Sequence, residues 1–539
     1  MALKQTDQSF LPRGSAPGQA VASASAALAV APVPVSVVEF GARRAIIVAG
    51  VMMAALLQTL DATIVNVALP TIEGNIGASI DEGTWIITGY IISNVVAIPL
   101  APFFLRRFGR RQYFATCVIG FTVASVLCGT ASTLTTLVLW RVVQGAFGGG
   151  LIATSQIILR DTLPESKLGA SSALFAIALT FGPALGPTLG GFLTDQFSWQ
   201  WVFDINLVPG ALAGIIILTM LRNPVPSVRL RLDTIGIALL ITFLGSLQYV
   251  LDEGQRNDWF DDGRIVFFTA TCVVGLAGFV VWELRGTREP IVDLRLFRYG
   301  NVRVGALTAL LLGMVIFGPT VMLPQYVQNV LGFTATLSGM LILMRALPVL
   351  VLTPFVARAT AMFDFRILLA AGFLACAASF AMIGLKMTPQ SDFSSFAGLL
   401  VFSGIGQAML LVPLLVGLLG TVKLADAPKV SSFISLSVQL GGSIASTLLV
   451  TIFERRTYFH SDVFRGGLTL ANPQVQRYAS HPGALAALER VLAQQALSAG
   501  FADSIFALVP LACGAVGLVL LLHRASTTPN AVATPARRQ

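Results

Sequence analysis

Asp61 stands in the stretch QTLDATIVNVALP, inside an apolar run from Ile46 to Leu69. A carboxylate in such a run costs about 2.5–3.5 kcal/mol on insertion scales, so its presence points to chemistry. Burial disfavours the charged form of a carboxyl group. A group poised between its charged and neutral forms can take up and release a proton, which is what coupling to a proton gradient requires. Arg141, in LWRVVQGAFGGG, lies in another apolar run. A guanidinium keeps its proton, so it can pair, hydrogen-bond or bias a nearby acid. Approach of Arg141 to Asp61 would favour proton release, and retreat would favour uptake. The sequence does not show that the two residues meet. A structural Arg bonded to helix-end carbonyls is the competing reading.

Three further groups of residues stand out. FGPALGPTLGG places Gly182, Gly186 and Gly190 on one helix face, where another helix can approach closely. Pro183 and Pro187 lie beside them, and each removes a backbone hydrogen bond, so the face is tightly packed but bendable. The turn RRFGRR (Arg106–Arg111) is densely basic, with Gly109 suited to a tight turn. It reads as either an orientation signal or a gate. Arg345 is a second intramembrane charge. With Trp85, Tyr90, Asn94, Gln144, Gln325, Gln407 and Gln439 it could line a substrate cavity, although polar residues at helical spacing also act as glue between helices.

The elements that must position these residues are spanning helices. Of the 539 residues, 55% are hydrophobic and 11% charged, whereas a soluble domain has about 25% charged residues. The net charge of +9 falls in short turns between apolar runs and implies no nucleic-acid partner. The five cysteines lie in apolar segments without metal-type spacing, and the three histidines are scattered. No P-loop, nucleophile elbow or metal motif is present, so neither an enzyme nor a bound cofactor is expected.

Fourteen spanning candidates follow one another at about 46–69, 84–105, 112–130, 134–159, 168–193, 200–221, 233–251, 265–284, 303–327, 335–357, 367–387, 393–421, 430–453 and 503–523. With the N-terminus inside, cytoplasmic segments hold 25 of the 35 Lys and Arg, which places both termini in the cytoplasm. Residues 1–43 read as a disordered tail, since Pro32 and Pro34 interrupt a stretch that imitates a signal-peptide core, and 525–539 form a second tail. Residues 285–302 read as a basic cytoplasmic surface segment, and 454–502 as a long external loop carrying a short helix. PLAPFFLRRFGRR is echoed by VLTPFVARATAMFDFR eight segments later. That offset divides the chain into a six-helix bundle (44–222), an inserted pair with its connector (223–302) and a second six-helix bundle (303–524).

These motifs resemble the major facilitator superfamily, and within it the fourteen-helix drug:proton antiporters of the EmrB/QacA type. LDATIVNVALPTI is similar to the family's first-helix motif, and its acid matches Asp61. LWRVVQGAFGGG is similar to the fourth-helix motif, whose Arg matches Arg141. GPALGPTLGG resembles the antiporter motif, matching Gly182, Pro183, Gly186, Pro187, Gly190 and Gly191. The turn between helices 2 and 3 departs from the family's GxLxDRxGRR. Pro102 and Arg106 replace the usual Gly and Asp, while Arg107, Gly109, Arg110 and Arg111 are kept, which puts a relay through that Asp in doubt. The resemblance implies a proton-driven exporter of hydrophobic or cationic small molecules in a bacterial inner membrane, working by alternating access. It also implies a periplasmic membrane-fusion adaptor and an outer-membrane channel as partners. An exporter or symporter of one metabolite, and a non-transporting sensor, are the alternatives on the same scaffold.

Overall fold

The computed structural model describes residues 41–164, 168–223, 233–287, 290–422, 426–466 and 484–523. The tails expected at 1–43 and 525–539 therefore lie outside them, except that residues 41–43 already form the start of the first helix. Among the described residues, fourteen helices are long and apolar enough to cross a membrane. They are α1 (Gly41–Ile76), α2 (Trp85–Phe108), α3 (Arg110–Gly129), α4 (Leu134–Thr162), α5 (Leu168–Gln196), α6 (Trp201–Asp204 continued by Leu207–Met220), α7 (Thr234–Glu253), α8 (Gly263–Val281), α9 (Gly300–Asn329), α10 (Ala335–Met362), α11 (Phe365–Lys386), α12 (Phe393–Ala408 continued by Leu411–Leu419), α13 (Ala427–Gly466) and α14 (Ala484–Phe506 continued by Leu508–Leu520). In hydrocarbon every backbone group must be bonded within its own segment, and these lengths allow only helices to do so.

The packing repeats with an offset of eight helices. In the first half α1 packs on α5 and α6, α2 on α4, α3 on α4 and α6. In the second half α9 packs on α13 and α14, α10 on α12, α11 on α12 and α14. The halves meet along α5 with α10 and along α2 with α13. Glycines sit at equivalent close approaches. A Cβ on Gly190 of α5 would lie 2.6 Å from the Ile64 carbonyl of α1, and one on Gly441 of α13 would strike the backbone of Leu310 in α9. α7 and α8 pack on each other, and α7 leans on α2 and α13.

Two segments differ from the expectation. Within 454–502 the helical part is longer than the short helix expected there, because α13 continues to Gly466 and α14 begins at Ala484. Pairing between the two helices carries them past the apolar stretch. Phe453 stacks on Phe501 at 4.0 Å, and Asp503 accepts from Arg456 at 2.5 Å and lies 2.8 Å from His460. The stretch 467–483 between them lies outside the described residues. The connector at 285–302 is basic but not merely superficial. Its Ile291 and Val292 are buried with Val96, Leu100 and Phe103 of α2 and with Phe433 and Leu436 of α13. Burial of these two side chains wedges the connector between the halves, and Lys429 pairs with its Asp293 at 2.9 Å.

Candidate functional site

Asp61 and Arg141 meet. Asp61 is 0% exposed and Arg141 1%. Nη1 of Arg141 donates to Oδ2 of Asp61 at 2.6 Å. Oδ1 of Asp61 accepts from Nε2 of Gln144 at 2.9 Å and from Nδ2 of Asn206 at 3.1 Å. Gln144 lies one turn after Arg141 on α4 and accepts from the same guanidinium at 2.7 Å. Asn206 occupies the break in α6 and donates as well to Ser125 of α3. One carboxylate thus gathers donors from α4 and α6. Arg141 also reaches α2, where Nε donates to the Ile86 carbonyl at 3.1 Å and the guanidinium lies 4.1 Å over the Tyr90 ring. A change of charge at Asp61 is felt directly by α1, α2, α4 and α6.

A cavity of about 590 Å³ is open at the end of the molecule where α1 finishes. It is within the size range of drug-binding pockets. Its walls come from α1 (Gln58, Ala62, Asn66), α2 (Tyr90, Ile91, Asn94), α7 (Asp252), α9 (Phe317, Val321, Gln325) and α13 (Gln439, Val450). The opposite end is shut by contacts between the halves. Ser432 donates to the Ile98 carbonyl at 3.0 Å, and Ser435 to Gln156 at 3.0 Å.

Of the eight residues named as cavity candidates, Tyr90, Asn94, Gln325 and Gln439 line this cavity and the other four do not. Trp85 stacks on Tyr249 of α7 on the outside, because α7 covers that face of α2. Gln144 belongs to the Asp61 centre. Arg345 and Gln407 face a separate small pocket. Asp61 itself is sealed from the cavity, with Tyr90 as the partition. That ring lines the cavity and also lies beneath Arg141, and its hydroxyl donates to the Gln58 carbonyl at 3.4 Å.

A family model described as the Major Facilitator Superfamily matches residues 51–446. The chain belongs to that superfamily. Within it, the chain is 34% identical over 437 residues to the multidrug export protein EmrB of Escherichia coli K12, covering 81% of this chain and 85% of that one. It is 34% identical over 464 residues to the fatty acid resistance protein FarB of Neisseria gonorrhoeae, covering 85% and 89%. Among solved structures it is similar in fold to the human organic anion transporter MFSD10, with a TM-score of 0.58, 14% identity, and coverage of 88% of this chain and 99% of that one. The proton:xylose symporter XylE aligns with a TM-score of 0.56 and 14% identity over 88% and 94% of the two chains.

In this major facilitator the glycine- and proline-bearing stretch of α5 packs against α1, the helix that carries Asp61. A Cβ on Gly182 would meet Leu60 N at 2.8 Å, one on Gly186 would meet Ile64 N at 3.1 Å, and one on Gly190 the Ile64 carbonyl. Thr59 of α1 donates to the Ala178 carbonyl of α5 at 3.0 Å. The glycine face thus brackets Asp61 on both sides. Pro183 looks the other way, into the small pocket of Arg345. Pro187 is half-buried and Gly191 buried within α5.

The basic turn ties helices of one half together. Gly109 has φ of +82°. Arg110 donates to the Arg222 carbonyl at 2.7 Å and lies 3.8 Å from Asp161 of α4. Arg111 N donates to Asn223, and Arg107 lies over the Phe108 ring. These contacts stay within α2, α3, α4 and the end of α6. Sequence reasoning missed Asn206, Gln58 and Asp252. Asn206 is an amide beside a break in an apolar run, which was a usable signal, whereas Asp252 reads as the start of an external turn until α7 is seen to face the cavity.

Proposed function

We propose that this major facilitator is a proton-driven exporter of hydrophobic or cationic small molecules, with Asp61 as the proton-coupling acid and Arg141 as its counter-charge. The single observation that carries the reading is the sealed Asp61–Arg141 pair, one ring away from a drug-sized cavity. Its relatives named as multidrug export proteins supply the direction of transport. The chain resides in a bacterial inner membrane with both termini in the cytoplasm. The open cavity then faces outward, and the serine contacts close the cytoplasmic end. A periplasmic adaptor and an outer-membrane channel fit the same reading as partners.

In this state three donors converge on the Asp61 carboxyl group. A proton arriving from the outer cavity neutralises Asp61 and removes the attraction that holds Arg141. The guanidinium is then free to move, and with it the Ile86 carbonyl and the Tyr90 ring on α2. α2 lines the cavity and forms the seam with α13, so neutralisation at α1 reaches both the substrate site and the interface between halves. The glycine face of α5 lets α1 slide without a side chain in the way. The residues 44–222 and 303–524 act as the two rocking units, and α7 touches both, packing on α2 and bonded through Gln248 to Ser443 of α13 at 2.6 Å.

The test is transport by Asp61→Asn in proteoliposomes with an imposed pH gradient, acidic on the outer face. Wild type is expected to drive dye uphill. The variant is expected to lose gradient-driven movement and to keep counterflow exchange. Gradient-driven transport at the wild-type rate by Asp61→Asn would sink the assignment.

A further inference from the structure

Arg141 has a carboxylate; Arg345 has none. The Arg345 side chain of α10 is 4% exposed. Nη1 donates to the Ile316 carbonyl at 2.9 Å and to Thr320 Oγ1 at 3.2 Å, and Nη2 to the Val315 carbonyl at 2.9 Å. All three acceptors are neutral and lie on α9. Nε finds no acceptor. Cys376 nearby carries a thiol directed at the Ser403 carbonyl. Among the described residues no acid is paired with this guanidinium. A buried charge without a counter-charge is strongly destabilising, whereas a neutral side chain of similar size would not be. The unpartnered Nε and the lack of a paired acid among the described residues point the same way.

The pocket in front of Arg345 lies on the seam between halves. Leu179, Thr180 and Pro183 come from α5 of the first half, and Ile342 and Gln407 from the second. Gln407 is 4% exposed. Its Nε2 donates to Thr180 across the seam at 3.3 Å, and its Oε1 has no partner. The pocket holds only about 20 Å³ in this conformation, room for a single water. Phe317 lines both this pocket and the large open cavity and so stands between them. Because the walls belong to different halves, rocking them must change this volume.

We propose that Arg345 is the recognition site for the ionised headgroup of amphiphilic organic acids, a carboxylate or sulfonate on an apolar body. The proposal rests on the export reading and extends it from hydrophobic and cationic compounds to anionic ones. When the seam opens, the Gln407–Thr180 bond breaks and the amide N–H groups of Gln407 join Nε of Arg345 as donors. The apolar side chains Leu179, Ile316 and Ile342 receive the body. When the seam closes, as here, the pocket collapses and the anion leaves past Phe317 into the open cavity. The conformation described is the releasing one.

The test uses the full chain in proteoliposomes and a matched set of eight-carbon probes: octane sulfonate, octanol and octyltrimethylammonium, with inorganic sulfate as the small-anion control. Each competes against gradient-driven efflux of a cationic dye. Octane sulfonate is expected to inhibit wild type at a concentration at least ten-fold lower than Arg345→Gln requires, with Arg345→Lys in between. Inhibition by octyltrimethylammonium should be the same in all three. The proposal is overturned if Arg345→Gln shifts all three amphiphiles alike or none, or if sulfate alone competes as well as octane sulfonate. Thermal unfolding gives a readout independent of transport. Octane sulfonate should raise the Tm of wild type and not of Arg345→Gln, and octanol should raise neither selectively. Arg345→Gln without ligand should melt no lower than wild type, because it removes an uncompensated charge; a lower Tm with no response of wild type to the sulfonate would assign Arg345 to structure. A wild type that moves no dye at all would overturn the export reading, while the thermal shift would still decide the anion site.

Discussion

Replacing Asp61 by Asn should destabilise the fold in a way that replacing both partners does not. In wild type, Oδ2 of Asp61 lies 2.6 Å from Arg141, and Oδ1 takes two further donors, Gln144 Nε2 and Asn206 Nδ2. Asn offers one acceptor oxygen and one amide group. If the oxygen faces Arg141, the amide N–H groups face two donors. Turning Gln144 to relieve this would present its own amide to the guanidinium, where its Oε1 now accepts at 2.7 Å. Arg141 is in either case left buried without a counter-charge. Breaking a buried pair from one side costs roughly 3–5 kcal/mol, and each unsatisfied buried donor adds about 1–3 kcal/mol; these overlap, so the larger pair figure sets the scale. Asp61→Asn/Arg141→Gln removes both charges and should unfold closer to wild type than either single variant does. Thermal or denaturant unfolding of the four proteins in one detergent measures the coupling. The reasoning fails if Asp61→Asn is as stable as wild type and the double variant shows no recovery. That result would mean that the buried pair contributes nothing to stability in this conformation.

Three other outcomes follow from the packing. Gly190→Ala should cost about 1–3 kcal/mol, since its Cβ would lie 2.6 Å from the Ile64 carbonyl, and efflux should fall more than expression does; a normal transport rate would show that α1 and α5 need not approach this closely. Gly109→Ala should lower stability by about 1–3 kcal/mol, because φ of +82° with ψ of 151° belongs to glycine, and the Tm reads it directly. Cysteines at Gln156 and Ser435, joined through disulfides by a short bis-methanethiosulfonate, should hold the seam shut and stop transport, with a reductant that cleaves those disulfides restoring it; continued transport in the cross-linked state would contradict opening at that end.

Much of this molecule could be read along the chain. Spanning helices are local: each satisfies its own backbone, and its apolar length is visible in the residues themselves. The repeat at an offset of eight helices was legible in two short motifs and reappears in the packing of α1–α6 and α9–α14. Asp61 and Arg141 were legible because a charge in an apolar run is costly and rare. The limits were equally local. α13 and α14 run on through residues read as loop, since their support is each other: Phe453 on Phe501 and Arg456 on Asp503. The connector read as surface because its charges are obvious, while the burial of Ile291 and Val292 depends on α2 and α13.

The sequence by itself determined the solvent, the fourteen crossings and the residues that carry unusual charge, because each of these is the property of one segment. Only the tertiary structure decided which charges are neighbours. It placed Arg141 against Asp61 and left Arg345 without an acid, although the two arginines look alike in their apolar runs. It also separated the Asp61–Arg141 pair from the cavity by a single ring, Tyr90. Those relations depend on helices that are distant along the chain, and no periodicity or spacing within one helix encodes the distance to another.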